Sequence, residues 1–322
     1  MDVTPFDAAQ ADHDTVADWH RVHAAAAAVD DPDHPHVPAA ALAARLAAPP
    51  PQTRALHWLA RDGDEPVGTA TLSLSDRENL GWGFAEVVVH PAHRRRGHGR
   101  ALLAAVREGL TAAGRGTLVY DVGADSAGAA FAAAAGARHA QTLWESELEL
   151  ARAADELPEE REPAGYRAVR WSGAAPDELV ASYVAAAEAM ADSPDGGLGY
   201  QVAPGSVAHT REVEQWWARR GCQLRTVAAV HEGSGAVAGL TVVAVPLLHP
   251  QLAYQEDTAV VPAHRGHGLG LWLKARMVRW LVADGMVVRR IRTTTDPANT
   301  HMLDINARLG FHRTRVREQW VG

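Results

Sequence analysis

The chain is short of cysteine. Cys222 stands alone among 322 residues, which excludes an intramolecular disulfide framework and a cysteine-cluster zinc site. It also lacks a long apolar run: 47% of the residues are hydrophobic, but no stretch reaches the roughly 18–20 apolar residues of a membrane span. The opening Met1-Asp2-Val3-Thr4-Pro5 has neither the basic start nor the apolar stretch of a secretory leader. Positive charge is not in excess, since the formal net charge is −8, and that argues against coating a nucleic acid. The 17 histidines form no His-Glu-x-x-His helix or other metal-ligand spacing, so no metal is expected. These absences predict a cytoplasmic globular protein, monomer or homodimer, with neither nucleic acid nor membrane as partner. Its length fits two domains.

What is present is a repeat. Val89-His90-Pro91-Ala92-His93-Arg94-Arg95-Arg96-Gly97-His98-Gly99 is echoed by Val260-Val261-Pro262-Ala263-His264-Arg265-Gly266-His267-Gly268-Leu269-Gly270, with Arg94 and Arg265 separated by 171 residues. Each copy is a β-rich run, a Pro-Ala-His-Arg step, a glycine-spaced basic turn and an amphipathic helix. Such a turn points backbone N–H groups at one anion, and the positive end of the helix adds to it. His93, His98, His264 and His267 lie in the turns, as phosphate donors or as solvent-facing side chains. A nicotinamide fingerprint would need a third glycine where Leu102 and Leu273 stand. A P-loop would need Gly-Lys-Ser/Thr, which follows neither turn.

The order of elements repeats as well. Ala-rich helices at 23–29 and 39–48 precede a hairpin of 55–60 and 67–74, a strand at 84–89, the turn, and a helix carrying Leu102, Leu103, Val106 and Leu110. A strand at 117–120 and an Ala-rich helix ending at Gly136 complete that half. The charged, proline-bounded stretch from Arg152 to Pro163 reads as a linker. Helices at 177–190 and 207–220 then lead to strands at 224–231, 237–245 and 253–261. On the helix after the second turn, Leu273, Met277, Trp280 and Leu281 form an apolar stripe, while Lys274, Arg276 and Arg279 are expected on the opposite face. A strand at 289–295 is followed by Asp296-Pro297, read as an N-cap with proline at the first helical position, and by a helix closing at Gly310-Phe311.

Two such turns in this element order, with Asn299-Thr300-His301-Met302-Leu303-Asp304-Ile305-Asn306-Ala307-Arg308-Leu309-Gly310-Phe311, resemble the GCN5-related N-acetyltransferase (GNAT) superfamily over nearly the whole chain. The resemblance implies an α/β (α+β) class and two tandem domains, each a mixed, mostly antiparallel sheet flanked by helices with a splayed cofactor groove. The expected division is 1–151 for a degenerate, non-catalytic first domain, 152–164 for the linker and 165–322 for the catalytic domain. It implies acetyl-CoA as acetyl donor and the primary amine of a small molecule as acceptor. Arg265, Gly266, His267, Gly268, Leu269 and Gly270 would cradle the pyrophosphate. Ala259, Val260 and Val261 would pair with the pantetheine, and Asn299 would touch the same arm. In the first half, Val89, Arg94, Arg95, Arg96, Gly97, His98 and Gly99 keep the anion-binding parts. Tandem layout and first-half wording also carry a distant similarity to the mycothiol synthase family.

Acyl transfer from a thioester needs a neutral amine, and an ammonium with a pKa of about 10 must first lose its proton. Glu256 or Asp257, on the polar strand leading to the turn, is the candidate base, and strand alternation predicts that only one faces the groove. A backbone N–H of Ala259 or Val260 is placed to polarise the carbonyl. Where the family often uses a tyrosine acid, this chain has Asn306, with Tyr254 as the nearest substitute. In the first half Ala132 stands for Asn306, Asp125 for Asn299 and Glu86 for Asp257, which points catalysis to the second half. Trp216 and Trp217 read as core or as an acceptor wall. The alternative functions are a non-catalytic CoA sensor or scaffold, a mycothiol-synthase-like enzyme, and a protein acetyltransferase.

Overall fold

The computed structural model describes residues 1–157, 162–194, 196–285 and 287–322. They form two compact units: one of Met1–Thr142, Gly197–Gln201 and Arg317–Gly322, the other of Leu143–Gly196 and Val202–Val316. In chain order the first half supplies β1 (Asp2–Phe6), α1 (His13–Asp30), α2 (Ala39–Ala47), β2 (Thr53–Asp62), β3 (Glu65–Ser75), β4 (Trp82–Val89), α3 (His98–Ala112), β5 (Thr117–Gly123), α4 (Ala127–Ala134) and β6 (Arg138–Glu149). The second supplies α5 (Leu150–Glu156), β7 (Tyr166–Ser172), α6 (Asp177–Ala187), α7 (Val207–Arg219), β8 (Cys222–His231), β9 (Val237–Pro246), β10 (Leu252–Val260), α8 (Leu269–Ala283), β11 (Arg290–Thr295), α9 (Thr300–Arg308) and β12 (His312–Val321). No helix among the described residues is long and apolar enough to cross a membrane.

In the first unit β1 to β4 are antiparallel neighbours, β4 pairs in parallel with β5, and β5 pairs antiparallel with residues 317–321 of β12. In the second, β7 to β10 are antiparallel, β10 pairs in parallel with β11, and β11 pairs antiparallel with residues 144–149 of β6. Each sheet is therefore completed by a strand from the other half of the sequence. The borrowed end of β6 is held by ion pairs. Glu147, 3% exposed, accepts from Arg292 Nη2 at 2.7 Å and from Arg290 Nη1 at 2.7 Å. Glu145 lies 3.4 Å from Arg292 Nε.

One helix follows each turn and packs on its sheet. Leu102, Leu103, Val106 and Leu110 of α3 are buried with Leu72 and Leu74 of β3. Leu269, Leu273, Met277 and Leu281 of α8 are buried with Val243, Val245 and Ile291. Each such side chain contributes about 1.5–3 kcal/mol of burial. The polar face expected on α8 is not wholly there. Lys274, the only lysine of the chain, is 2% exposed. Its Nζ lies 5.0 Å from the Phe311 ring centroid, and burial lowers its pKa to about 7. The helix is covered on more than one side, by the sheet and by Leu150 and Ala153 of α5, so an amphipathic reading undercounts its apolar faces.

Two boundaries differ from expectation. The last helix is capped by Asn299, whose Oδ1 accepts from Met302 N at 3.1 Å, while Asp296 Oδ1 accepts from Ala298 N in the preceding turn. Of the expected linker, residues 152–156 are helical within α5, and 158–161 lie outside the described residues.

Candidate active site

The parallel pairs are short. β10 meets β11 only at Leu252–Tyr254, and β4 meets β5 only from Trp82 to Ala85. Beyond those points the two strands part and leave a groove. Backbone direction at the strand ends follows from one hydrogen bond in each unit. Val261 N donates to Ala238 O at 2.9 Å and His90 N to Val67 O at 3.0 Å. By alternation, the N–H and C=O of Val260 and Val89 point the other way, into the groove. Ala259 and Val261 direct their N–H groups at β9, so of the three strand residues expected to meet a cofactor, Val260 offers the free donor.

Arg265 and Arg94 have the same task in both units. Arg265 Nε donates to Val260 O at 3.1 Å while its Nη2 pairs with Asp192; Arg94 Nε donates to Val89 O at 3.2 Å while Nη1 and Nη2 pair with Asp30. These guanidiniums are spent on fixing strand to turn, and their charge is matched by carboxylates. What the turn leaves open is backbone. Gly97 and Gly268 stand at the helix N-cap with φ of 92° and 74°, and neither α3 nor α8 has a side-chain cap. Gly266 (φ 84°) and its counterpart Arg95 (φ 67°) are also left-handed. Alternating hand turns successive N–H groups to one side, a nest. A Cβ at Gly97, Gly266 or Gly268 would meet nothing within 4 Å, so that side is open.

Other turn residues do different work. Gly270 lets α9 approach, since a Cβ there would lie 3.0 Å from Ile305 Cδ1, and Gly99 stands 3.4 Å from the Phe131 ring by the same measure. Leu269 is buried and offers only its backbone. His98 is buried with Nδ1 2.7 Å from Met1 Sδ, His93 faces Glu65, and His264 Nδ1 meets the Tyr166 hydroxyl at 2.9 Å. Arg96 and His267 remain exposed.

The carboxylates sit where the ladder is irregular. Gln255 pairs with Val243 and Thr258 with Thr241, so Glu256 and Asp257 together oppose one residue of β9. A bulge suspends strand alternation and re-aims side chains, and the expectation that one carboxylate turns away does not apply. The bulge is clasped by Gln255, whose Nε2 donates to Val242 O at 2.7 Å and Thr241 Oγ1 at 3.1 Å. Both carboxyls keep exposed surface, yet protein surrounds them closely enough to favour the protonated form. Exposed area governs access; the surroundings govern charge. Burial, then the Asp257 charge, raise the Glu256 pKa to about 7 against a lowering by Arg220. Burial raises Asp257 as well.

Helices α6 and α7 bring groups that no motif marked. Tyr183 feels the Asp257 charge after burial, and both push its phenol upward. Arg220 lies over Trp216 at 4.6 Å and Trp217 at 5.4 Å, and its charge also reaches Glu256. In the sequence Tyr183 shares helical spacing with Leu179, Val180 and Val184, so it reads as core.

Asn306 is 3% exposed. Its Nδ2 lies 3.4 Å from Thr295 Oγ1, and its Oδ1 has no partner among the described residues. Tyr254 occupies the last position of β10 that pairs with β11, opposite Arg292. In the first unit the β3–β4 ladder runs from 68–73 against 84–89 without a bulge, and Ala132 is packed in the core.

In both units a short parallel pair leads to a glycine-rich turn at an uncapped helix start, and known proteins share this arrangement. Residues 53–137 match the Acetyltransferase (GNAT) domain, and residues 193–311 match the Acetyltransferase (GNAT) family. The chain is 30% identical to a mycothiol acetyltransferase of Thermobispora bispora, over 79% of each chain. It is 31% identical to one of Kineococcus radiotolerans, over 83% of this chain and 82% of that one. Among solved structures, a tandem GNAT protein from the clavulanic acid biosynthesis pathway, without AcCoA, superposes with a TM-score of 0.86 at 30% identity, covering 100% of this chain and 98% of that one. A GCN5-related N-acetyltransferase from Sphaerobacter thermophilus shares the fold, with a TM-score of 0.72 at 19% identity over 100% and 95% of the two chains. The chain belongs to the GNAT family, as an N-acetyltransferase with two such domains in tandem.

Proposed function

We propose that the second unit transfers the acetyl group of acetyl-CoA to the primary amine of a small molecule by direct attack on the thioester, with Glu256 as base. The bulge carries this reading: it sets two carboxyls at the mouth of the splay, one with a pKa of about 7. The groove fits the donor. An uncapped helix start and the nest at Gly266 and Gly268 suit a pyrophosphate, the outward N–H of Val260 suits an extended arm, and the unpartnered Oδ1 of Asn306 suits an amide or thiol donor. Acetyl-CoA, when bound, supplies an activated acyl group.

The side chains then divide the work. Glu256, ionised above about pH 7, takes the ammonium proton; Asp257 keeps that carboxyl from ionising too early. The Val260 N–H is aimed at charge developing on a carbonyl oxygen. Tyr183 is a neutral phenol on the acceptor side, and Trp216, Trp217 and Arg220 wall it. Cys222 pairs with Pro246, four residues or about 13 Å along β9 from Val242, which the bulge at Glu256 and Asp257 opposes, and this supports transfer without an acyl-cysteine. The unbroken ladder and Ala132 support a first unit that binds without catalysing. A mycothiol-type acceptor is the alternative within the same chemistry.

Calorimetric titration with acetyl-CoA tests the reading on wild type, Gly268→Glu and Gly97→Glu. The new carboxylates enter open space and repel pyrophosphate. Loss of catalytic binding with Gly268→Glu, and CoA release with a panel of amines, are expected; absence of binding to wild type overturns it.

A further inference from the structure

The first unit has an acceptor face that its missing catalytic parts do not explain. On β4, Trp82, Phe84 and Glu86 share the face turned from α3, since a Cβ on Gly83 between them would strike Leu110 and Leu72. Tyr200 joins this face. Its segment is fastened by two hydrogen bonds, Asn79 Nδ2 to Gln201 O at 3.0 Å and Gln201 N to Asn79 Oδ1 at 2.9 Å. The Tyr200 ring then lies 6.0 Å from Trp82 and 6.3 Å from Phe84. Two residues along β4, about 7 Å away, the exposed carboxylate of Glu86 makes no ion pair among the described residues.

Behind Glu86 the sheet is polar. His57, Thr71 and Glu86 are direct cross-strand neighbours, with His57 Nδ1 3.2 Å from Thr71 Oγ1 and His23 Nε2 3.1 Å from Thr69 Oγ1. Burial lowers the pKa of both imidazoles, and the Glu86 charge opposes that shift. Arg45, whose charge also reaches His23, makes no ion pair with Glu86. The equivalent row of the second unit runs through Val242, so the polar row belongs to this unit alone.

We infer that the first unit binds a small organic ammonium ion, its charged head at Glu86 and its apolar body against Phe84, Trp82 and Tyr200. Negative charge, three aromatic faces and no competing cation in an ion pair are what such a ligand needs. The unit lacks a bulge and an Asn306 equivalent, so the site holds an amine rather than acetylating it. The inference is independent of turnover in the second unit.

Benzyltrimethylammonium, which cannot be acetylated, is the probe, with benzyl alcohol as its neutral counterpart. Saturation-transfer NMR and titration on the full chain should show binding of the cation and at least tenfold weaker binding of the alcohol. Glu86→Gln should weaken the cation at least fivefold, as should Phe84→Leu, with thermal midpoints checked for folding. CoA release by the second unit should persist in Glu86→Gln. Equal binding by Glu86→Gln, equal binding of the alcohol, no transfer at all, or loss confined to Asp257→Asn would each overturn the inference.

Discussion

A carboxyl group held near neutrality by burial and a neighbouring charge should respond to both, and Glu256 offers each test. Because its pKa is raised to about 7, kcat/KM is expected to climb with pH through that value as the base ionises. Glu256→Gln should lower kcat by about 10²–10⁴-fold and flatten the climb, measured as CoA release across pH 5.5–9. Asp257→Asn removes the like charge, so the climb should move to lower pH; an unmoved profile would detach Asp257 from the base. Stability carries the same sign. A raised carboxyl pKa favours the folded state below the unfolded value and loses that advantage as pH rises through the folded one, so Glu256→Gln should gain thermal stability over wild type at pH 8 and gain less at pH 5. At this scale the sequence was informative where chemistry is rare. Glu256, Asp257 and Asn306 stand out in their elements, while Tyr183 shares the spacing of apolar neighbours and was legible only as packing, and Lys274 read as part of the polar face of α8 although it is buried.

Elements were legible where period and punctuation coincide. The turn, with its Pro-Ala-His-Arg step and left-handed glycines, and the helix behind it follow from local preferences that packing does not override. The bulge does not announce itself, because Gln255-Glu256-Asp257 reads as a plain alternating strand until β9 fixes the register. Strands β6 and β12 were hidden for another reason. Glu145, Glu147, Arg315 and Arg317 look like solvated charge, yet Glu147 lies buried between two arginines. Removing one member of such a cluster strands the others, so Glu147→Ala should cost about 3–5 kcal/mol in chemical denaturation. Loss of under 1 kcal/mol would mean that the pairs add nothing to strand pairing.

The halves of the sequence and the units of the fold do not coincide. The repeat made two domains legible, but the exchange of β6 and β12 depends on pairing over long sequence distance and leaves no local trace. Residues 1–151 alone lack the partner that covers β5, and 165–322 alone lack the strand that covers β11. Each piece expressed by itself should give poor chemical-shift dispersion by NMR, and mixing the two should restore it. Folding of either piece alone would make the borrowed strands dispensable.

Lysine scarcity has a consequence of its own. The sole lysine of this acetyltransferase is closed inside the core, so the folded surface presents no lysine nucleophile to an activated acyl donor. Self-acetylation at lysine is thereby tied to unfolding, and a mark on Lys274 would record that the α8 core had opened.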